Sequence, residues 1–159
     1  VSATGNELGG RWLQRVLGNE FTVHFMKDVY YGSHIDSTLV ALKPGLLLAN
    51  PARLSSDTIP PFLKQWEILF SPPMENQDRY STEYLEQAIG SEWIDMNLFS
   101  LGPDTVVVDR DQTALIRLLE SHQMEVIPLK LRHSRMMGGG FHCVTLDTRR
   151  RGKMESYFD

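Results

Sequence analysis

The chain repeats itself, and that repeat limits its fold more than any single motif does. Residues 34–51, HIDSTLVALKPGLLLANP, align with residues 93–110, WIDMNLFSLGPDTVVVDR, at an offset of 59. Ile35/Ile94, Asp36/Asp95, Leu39/Leu98, Leu42/Leu101 and Pro44/Pro103 coincide, where chance gives roughly one identity in such a window. The segments after the two blocks also agree in kind. After the first, Pro60 and Pro61 start a short helix with Phe62, Leu63 and Trp66 inward, and a strand EILFS (67–71) comes next. After the second, Asp111 reads as the N-cap of a helix with Leu115, Ile116, Leu118 and Leu119 apolar, and a strand MEVIPL (124–129) comes next. The turns KPG (43–45) and GPD (102–104) lie between apolar runs and read as hairpin loops.

The pattern therefore predicts two copies of a strand–strand–helix–strand unit. The helix and strand of a third precede them over residues 6–28, with Asn6 as cap and Leu8, Trp12 and Val16 on one stripe. A strand FHCVTLD (141–147) comes after them. The polar stretch 72–90 reads as a surface loop with a helical turn around Tyr84–Ala88. A unit of this kind leaves one apolar face open until a neighbour covers it, so the pattern calls for more chain.

Composition narrows the class without naming a chemistry. The 159 residues fit one domain, and 42% hydrophobic with 23% charged residues is a soluble globular balance. The longest apolar run, Gly45–Ala49, suits a strand and is far too short to span a bilayer. A net charge of −4 argues against a dedicated nucleic-acid partner, and Arg149–Arg151 with Lys153 reads as a solvated face. One cysteine excludes an internal disulfide. Val1 is not an initiator methionine and residues 1–5 lack the regions of a signal peptide, which fits a processed chain or an excised fragment.

Three groups of residues can carry chemistry. Cys143 lies in MMGGGFHCVTLDTRRRG, where three glycines permit close backbone approach and positive φ. It reads either as a nucleophile at the start of a strand or as a buried small hydrophobe. His34 and Asp36, in GSHIDSTL, alternate along a predicted strand and so share a face. They suit an oriented acid–base pair or, more plainly, a hydrogen-bonded histidine at a strand entrance. His34, Asp36, His142 and Cys143 are also metal-ligand types, although no HExxH or paired CxxC spacing supports a metal site. Arg53 and Ser91, taken alone, read as surface residues.

Together, GGGFHCVTLDTRRRG (138–152), GSHIDSTL (32–39) and NPAR (50–53) resemble the guanidino-group-modifying enzymes, specifically the L-arginine-dependent amidinotransferases. ATGNELGGRWLQ (3–14) and VVDRDQTALIRLLE (107–120) are similar to the branch of the inosamine-phosphate and saxitoxin-pathway enzymes more than to the glycine enzymes. The resemblance implies an α/β fold, part of a fivefold pseudosymmetric α/β propeller (a pentein) of strand–strand–helix–strand modules. Residues 1–159 are then the C-terminal portion of one catalytic domain, about two modules with flanking pieces, its N-terminal portion upstream.

The resemblance also implies roles. Cys143 matches the nucleophile, His34 the general acid/base, and Asp36 a carboxylate that grips the guanidinium of arginine. Arg53 and Ser91 match residues that hold the amino-acid end of the substrate, and Gly90 stands where the glycine enzyme has a second serine. The implied reaction moves the amidino group of L-arginine to an acceptor amine and releases ornithine. It would serve secondary-metabolite biosynthesis (an aminocyclitol or a guanidinium toxin) or a creatine-type pathway. No cofactor and no metal is expected. The expected partners are L-arginine and an amine, with no nucleic acid and no membrane; a homodimer is compatible, and the expected compartment is the cytoplasm, with the mitochondrion open. The parent protein is expected to be a transferase and the isolated fragment inactive. The competing readings are a deiminase-like hydrolase of the same superfamily and a non-catalytic fragment.

Overall fold

The two repeats build two sheets of the same design. The structure is a computed structural model and describes residues 5–27, 29, 35–75, 81–153 and 157. In the first sheet β1 (Leu39–Lys43) pairs antiparallel with β2 (Leu46–Ala49), and β2 pairs parallel with β3 (Glu67–Phe70). In the second, β4 (Phe99–Ser100) pairs antiparallel with β5 (Thr105–Asp109), and β5 pairs parallel with β6 (Glu125–Leu129). The offset of 59 carries one hairpin register onto the other: Val40↔Leu48 becomes Phe99↔Val107, and Ala41↔Leu47 becomes Ser100↔Val106. It slips by one only at the last strand, where Leu46↔Glu67 corresponds to Thr105↔Glu125.

Burial explains why β2 is a continuous apolar run rather than an alternating one. A strand covered on both faces has no solvent side to keep polar. Leu46 and Leu48 enter a core with Leu42, Leu69, Met96, Leu98, Val106 and Val108, which joins the two sheets. Leu47 and Ala49 enter a second core with Leu54, Ile59 and Leu63. The helix α3 (Thr113–Ser121) buries Leu115 and Leu119 in the first of these, with Ile116 and Leu118 packed at its margin. The Pro60–Pro61 start gives only a single 3-10 turn, Pro61–Leu63, with Leu63 buried and Phe62 and Trp66 half-buried.

Four local expectations change. The cap of α3 is not Asp111: the helix begins after Gln112, and the side chain of Glu75 accepts from the Ala114 N–H (2.7 Å) and the Thr113 hydroxyl (2.9 Å). Residues 35–38 form a turn rather than strand, because the carbonyl of Ile35 accepts from the N–H groups of Thr38 (2.7 Å) and Leu39 (2.9 Å). Ile94 makes the matching bond with Asn97 (2.9 Å), so the turn belongs to the repeat. The segment 141–147 is a turn followed by irregular chain, with Val144 N–H donating to Gly140 (3.3 Å) and Thr145 N–H to His142 (3.2 Å). Residues 21–27 hold no strand either; Gln14 of α1 (Glu7–Leu17) ties them back, donating to Phe21 O (2.8 Å) and accepting from Val23 N (2.7 Å). Neither segment pairs with a strand among the described residues, and an apolar sequence without a partner edge gains no ladder bonds.

Asn6 caps α1 as expected, accepting from Gly9 N at 2.9 Å, but the Leu8, Trp12 and Val16 stripe lies exposed. The loop 72–90 carries α2 (Thr82–Gln87), capped by Ser81. A short α4 (Ser134–Met137) leads into the glycine run. No helix among the described residues is long and apolar enough to cross a membrane.

Candidate active site

The turn at 35–38 decides where Asp36 lies. Taken out of the strand pattern, its carboxylate Oδ2 stands 3.7 Å from Nδ1 of His142, the residue before Cys143. Both line a cleft of about 320 Å³ between β1 and β4, together with Asn97 and Arg150. Arg150 is anchored there: Nη2 donates to Ser100 O (2.7 Å), Nε to Asp147 Oδ2 (2.7 Å), and the guanidinium lies 5.8 Å over the Phe99 ring. That hydrogen bond holds the Asp147 carboxyl below the usual carboxylate range. The run Arg149–Arg151 is exposed, as the solvated-face reading expects, yet its central member is an ordered contact.

Arg53 and Ser91, unremarkable in the sequence, meet. Arg53 closes the turn after β2 and is half-buried; Nη1 donates to Ser37 O (2.9 Å), Ser37 Oγ (2.9 Å) and Thr38 Oγ1 (2.8 Å). Its Nη2 donates to Ser91 Oγ at 2.9 Å. Ser91 sits beside Gly90, whose N–H donates to Arg135 O (2.9 Å) while Arg135 Nη1 donates back to Gly90 O (2.6 Å). A side chain at Gly90 would put its Cβ 2.8 Å from that Arg135 carbonyl, so a serine does not fit here without a shift.

Cys143 is exposed and stands in a turn rather than at a strand start. The glycines before it do what three in a row permit. Gly138, at φ +68, ends α4 in the left-handed conformation, and Gly140 packs so tightly on Asn97 that a Cβ would lie 2.5 Å from its carbonyl oxygen. Asn97 in turn accepts the Cys143 N–H on Oδ1 (3.1 Å) and the His142 N–H on its backbone oxygen (3.3 Å). His34 lies outside the described residues, so its expected pairing with Asp36 is not part of this geometry. Among the described residues no group of three or more His, Cys, Asp or Glu is gathered to hold a metal ion.

The sequence reading gave no site role to Asn97, Gln112, Asp95 or Ser134. Asp95, the repeat partner of Asp36, is buried and accepts from Gln112 Nε2 (2.8 Å) and Ser134 Oγ (3.4 Å). Gln112 falls at the position of Arg53, since 53 plus 59 is 112. The same offset makes Asn97 the counterpart of Thr38 and Asp109 the counterpart of Asn50. The last pair forms the same turn, Asn50 Oδ1 accepting from Ala52 N and Asp109 Oδ1 from Asp111 N, both at 2.9 Å. Asp36 thus lines the cleft in the first module, whereas its counterpart Asp95 is closed off by Gln112 in the second. Extending the repeat alignment beyond residue 110 would have found Gln112 as the counterpart of Arg53.

No protein-family model matches the chain. Individual proteins do. It is 48% identical over 157 residues to inosamine-phosphate amidinotransferase 1 of Streptomyces glaucescens, covering 99% of this chain and 44% of that protein. The solved inosamine-phosphate amidinotransferase of Streptomyces griseus superposes with a TM-score of 0.92 at 49% identity, over 100% of this chain and 44% of its own. An amidinotransferase of the saxitoxin biosynthetic pathway from Microseira wollei superposes at 0.87 and 33%, over 99% and 43%. In sequence and in fold, the chain is similar to these amidinotransferases over 99% of its own length and spans about 44% of theirs.

Proposed function

We propose that the protein carrying this chain transfers the amidino group of L-arginine to an acceptor amine through an amidino-cysteine on Cys143, releasing ornithine. The observation that carries the reading is the Asp36 carboxylate, which reaches the residue next to Cys143 across the cleft, 3.7 Å from His142. A guanidinium carbon is a poor electrophile because its charge is spread over three nitrogens. A carboxylate that takes two of its N–H groups fixes the plane and the direction of attack. A thiolate is nucleophilic near neutral pH without a strong base, and the cationic substrate favours that form.

In this reading the Cys143 sulfur attacks the guanidinium carbon and the carbon–δ-nitrogen bond breaks. His34 gives its proton to the departing nitrogen, and ornithine leaves. The acceptor amine then attacks the amidino carbon, His34 takes the amine proton, and the carbon–sulfur bond breaks to return the thiolate. Asp36 holds the guanidinium, while Arg53 and Ser91 hold the amino-acid end of arginine; their 2.9 Å contact supports a shared subsite. Relatives acting on an inosamine phosphate and in saxitoxin biosynthesis make a secondary-metabolite amine the favoured acceptor class. Two complete modules in a chain that spans 44% of its relatives are consistent with a ring of five, the fivefold propeller.

The test incubates the complete protein with L-arginine and a panel of amines and quantifies ornithine and citrulline, for wild type and Cys143→Ala. Cysteine-dependent ornithine with a guanidinylated acceptor supports transfer. Cysteine-dependent citrulline replaces transfer by hydrolysis, and full turnover by Cys143→Ala ends the nucleophile assignment.

A further inference from the structure

We infer that Asn97 is the positioning residue for the nucleophile, anchoring the Cys143 backbone through its side-chain oxygen. The inference rests on the reading of Cys143 as nucleophile. The segment that bears Cys143 has no ladder of its own; residues 141–144 form a turn and 145–147 are irregular. Two consecutive N–H groups of that segment nonetheless end on one residue. Asn97 Oδ1 takes Cys143 N–H at 3.1 Å, and Asn97 O takes His142 N–H at 3.3 Å.

The anchor itself is rigid. Asn97 is 1% exposed between the buried Met96 and Leu98, and its N–H is held by Ile94 O at 2.9 Å. Asp95, two residues earlier, is locked by Gln112. Gly140 completes the arrangement, because only a residue without Cβ lets the glycine run close on the Asn97 backbone. The side chain is also buried at a cost: Nδ2 is buried without a hydrogen-bond partner among the described residues. A buried amide that leaves a donor unsatisfied is destabilising. An apolar residue of the same size would remove that cost, so the asparagine is explained by what its Oδ1 holds. Thr38, its repeat counterpart, does the same kind of work, accepting from Arg53 on Oγ1 at 2.8 Å. Fixing Cα of a nucleophile fixes the arc its sulfur can sweep, and a displacement of about 1 Å from the attack geometry costs roughly 100-fold in rate.

The test uses the complete protein and three variants, Asn97→Leu, Asn97→Asp and Cys143→Ala. Asn97→Leu keeps the volume and removes the acceptor; Asn97→Asp keeps the acceptor. The expected result is a kcat lower by roughly 10- to 100-fold in Asn97→Leu. The KM for L-arginine stays within about threefold, because Asp36, Arg53 and Ser91 are untouched, and Asn97→Asp recovers most of kcat. Unchanged kcat in Asn97→Leu overturns the inference. So does a loss shared equally by KM or not rescued by Asn97→Asp, which would mark a structural role only. Hydrogen exchange on the wild type gives a check that no variant can spoil by misfolding: the Cys143 amide is expected to exchange at least about tenfold more slowly than an open amide, and exchange at the open rate overturns the anchor. Full activity in Cys143→Ala would remove the nucleophile and this inference with it. Loss there beside a wild-type-like Asn97→Leu removes only the role of Asn97.

Discussion

Arg53 Nη2 donates to Ser91 Oγ at 2.9 Å, joining two loops 38 residues apart in the chain. The same guanidinium holds Ser37 and Thr38 through Nη1, so one planar group ties the start of β1 to the loop before β4. A fork of donors in a fixed plane can do this; a single ammonium cannot.

Arg53→Lys is therefore not conservative. In the complete protein it is expected to raise the KM for L-arginine roughly tenfold, with a smaller effect on kcat, as loss of uniform binding does. Ser91→Ala removes one contact and is expected to act in the same direction and more weakly. Steady-state kinetics at varied arginine checks both, and an unchanged KM in Arg53→Lys removes Arg53 from the arginine site.

Gly140→Ala places a methyl group 2.5 Å from the Asn97 carbonyl oxygen and 2.6 Å from its Cβ. Backbone cannot swing aside as a flexible side chain does, so the cost is expected in the overpacking range of about 1–3 kcal/mol. A lower Tm and a lower kcat should appear together, because the glycine run carries Cys143. Thermal unfolding and turnover of the variant measure this; a Tm within error of wild type would mean that the loop relaxes freely.

Gln112→Leu strips a donor from the buried Asp95 carboxylate and also breaks the pairing of Gln112 Oε1 with Glu75 N (2.8 Å). Losing a hydrogen bond to a buried charged group costs about 1.5–3 kcal/mol. Asp95→Asn still offers an acceptor and is expected to cost less. Denaturant unfolding of the two variants ranks them, and the reverse order would show that Asp95 is not the group that needs Gln112.

Glu75 makes a pH prediction with a definite sign. The Ala114 N–H, then the Thr113 hydroxyl, hold its carboxyl below the ordinary glutamate value of 4.5. A group with a lowered folded pKa adds stability above its unfolded value and loses it as pH falls through the folded one. Wild type should therefore be more stable than Glu75→Gln at pH 7, by an amount typical of a helix cap, about 1 kcal/mol. The gap should close as the pH falls below 4.5. A gap that persists once the carboxyl is protonated would show that its neutral form caps α3 equally well.

The repeat is legible in the residues alone: two hairpins turned at KPG and GPD, each followed by a connecting segment and a third strand, and the apolar run that becomes β2. These arise from turn chemistry and apolar period, both written within one unit. Resemblance added names for Cys143, His34, Asp36, Arg53 and Ser91, but no distances. Only the tertiary structure decided that Asp36 reaches His142, that Arg53 meets Ser91, that Glu75 caps a helix 39 residues away, and that Asn97 holds Cys143 across 46 residues. The strand expected at 141–147 shows the physical reason most directly. An apolar pattern states what a segment can bury, whereas a strand exists only where a second edge supplies its hydrogen bonds. That edge, like every contact of the site, is set by which distant segments the fold brings together.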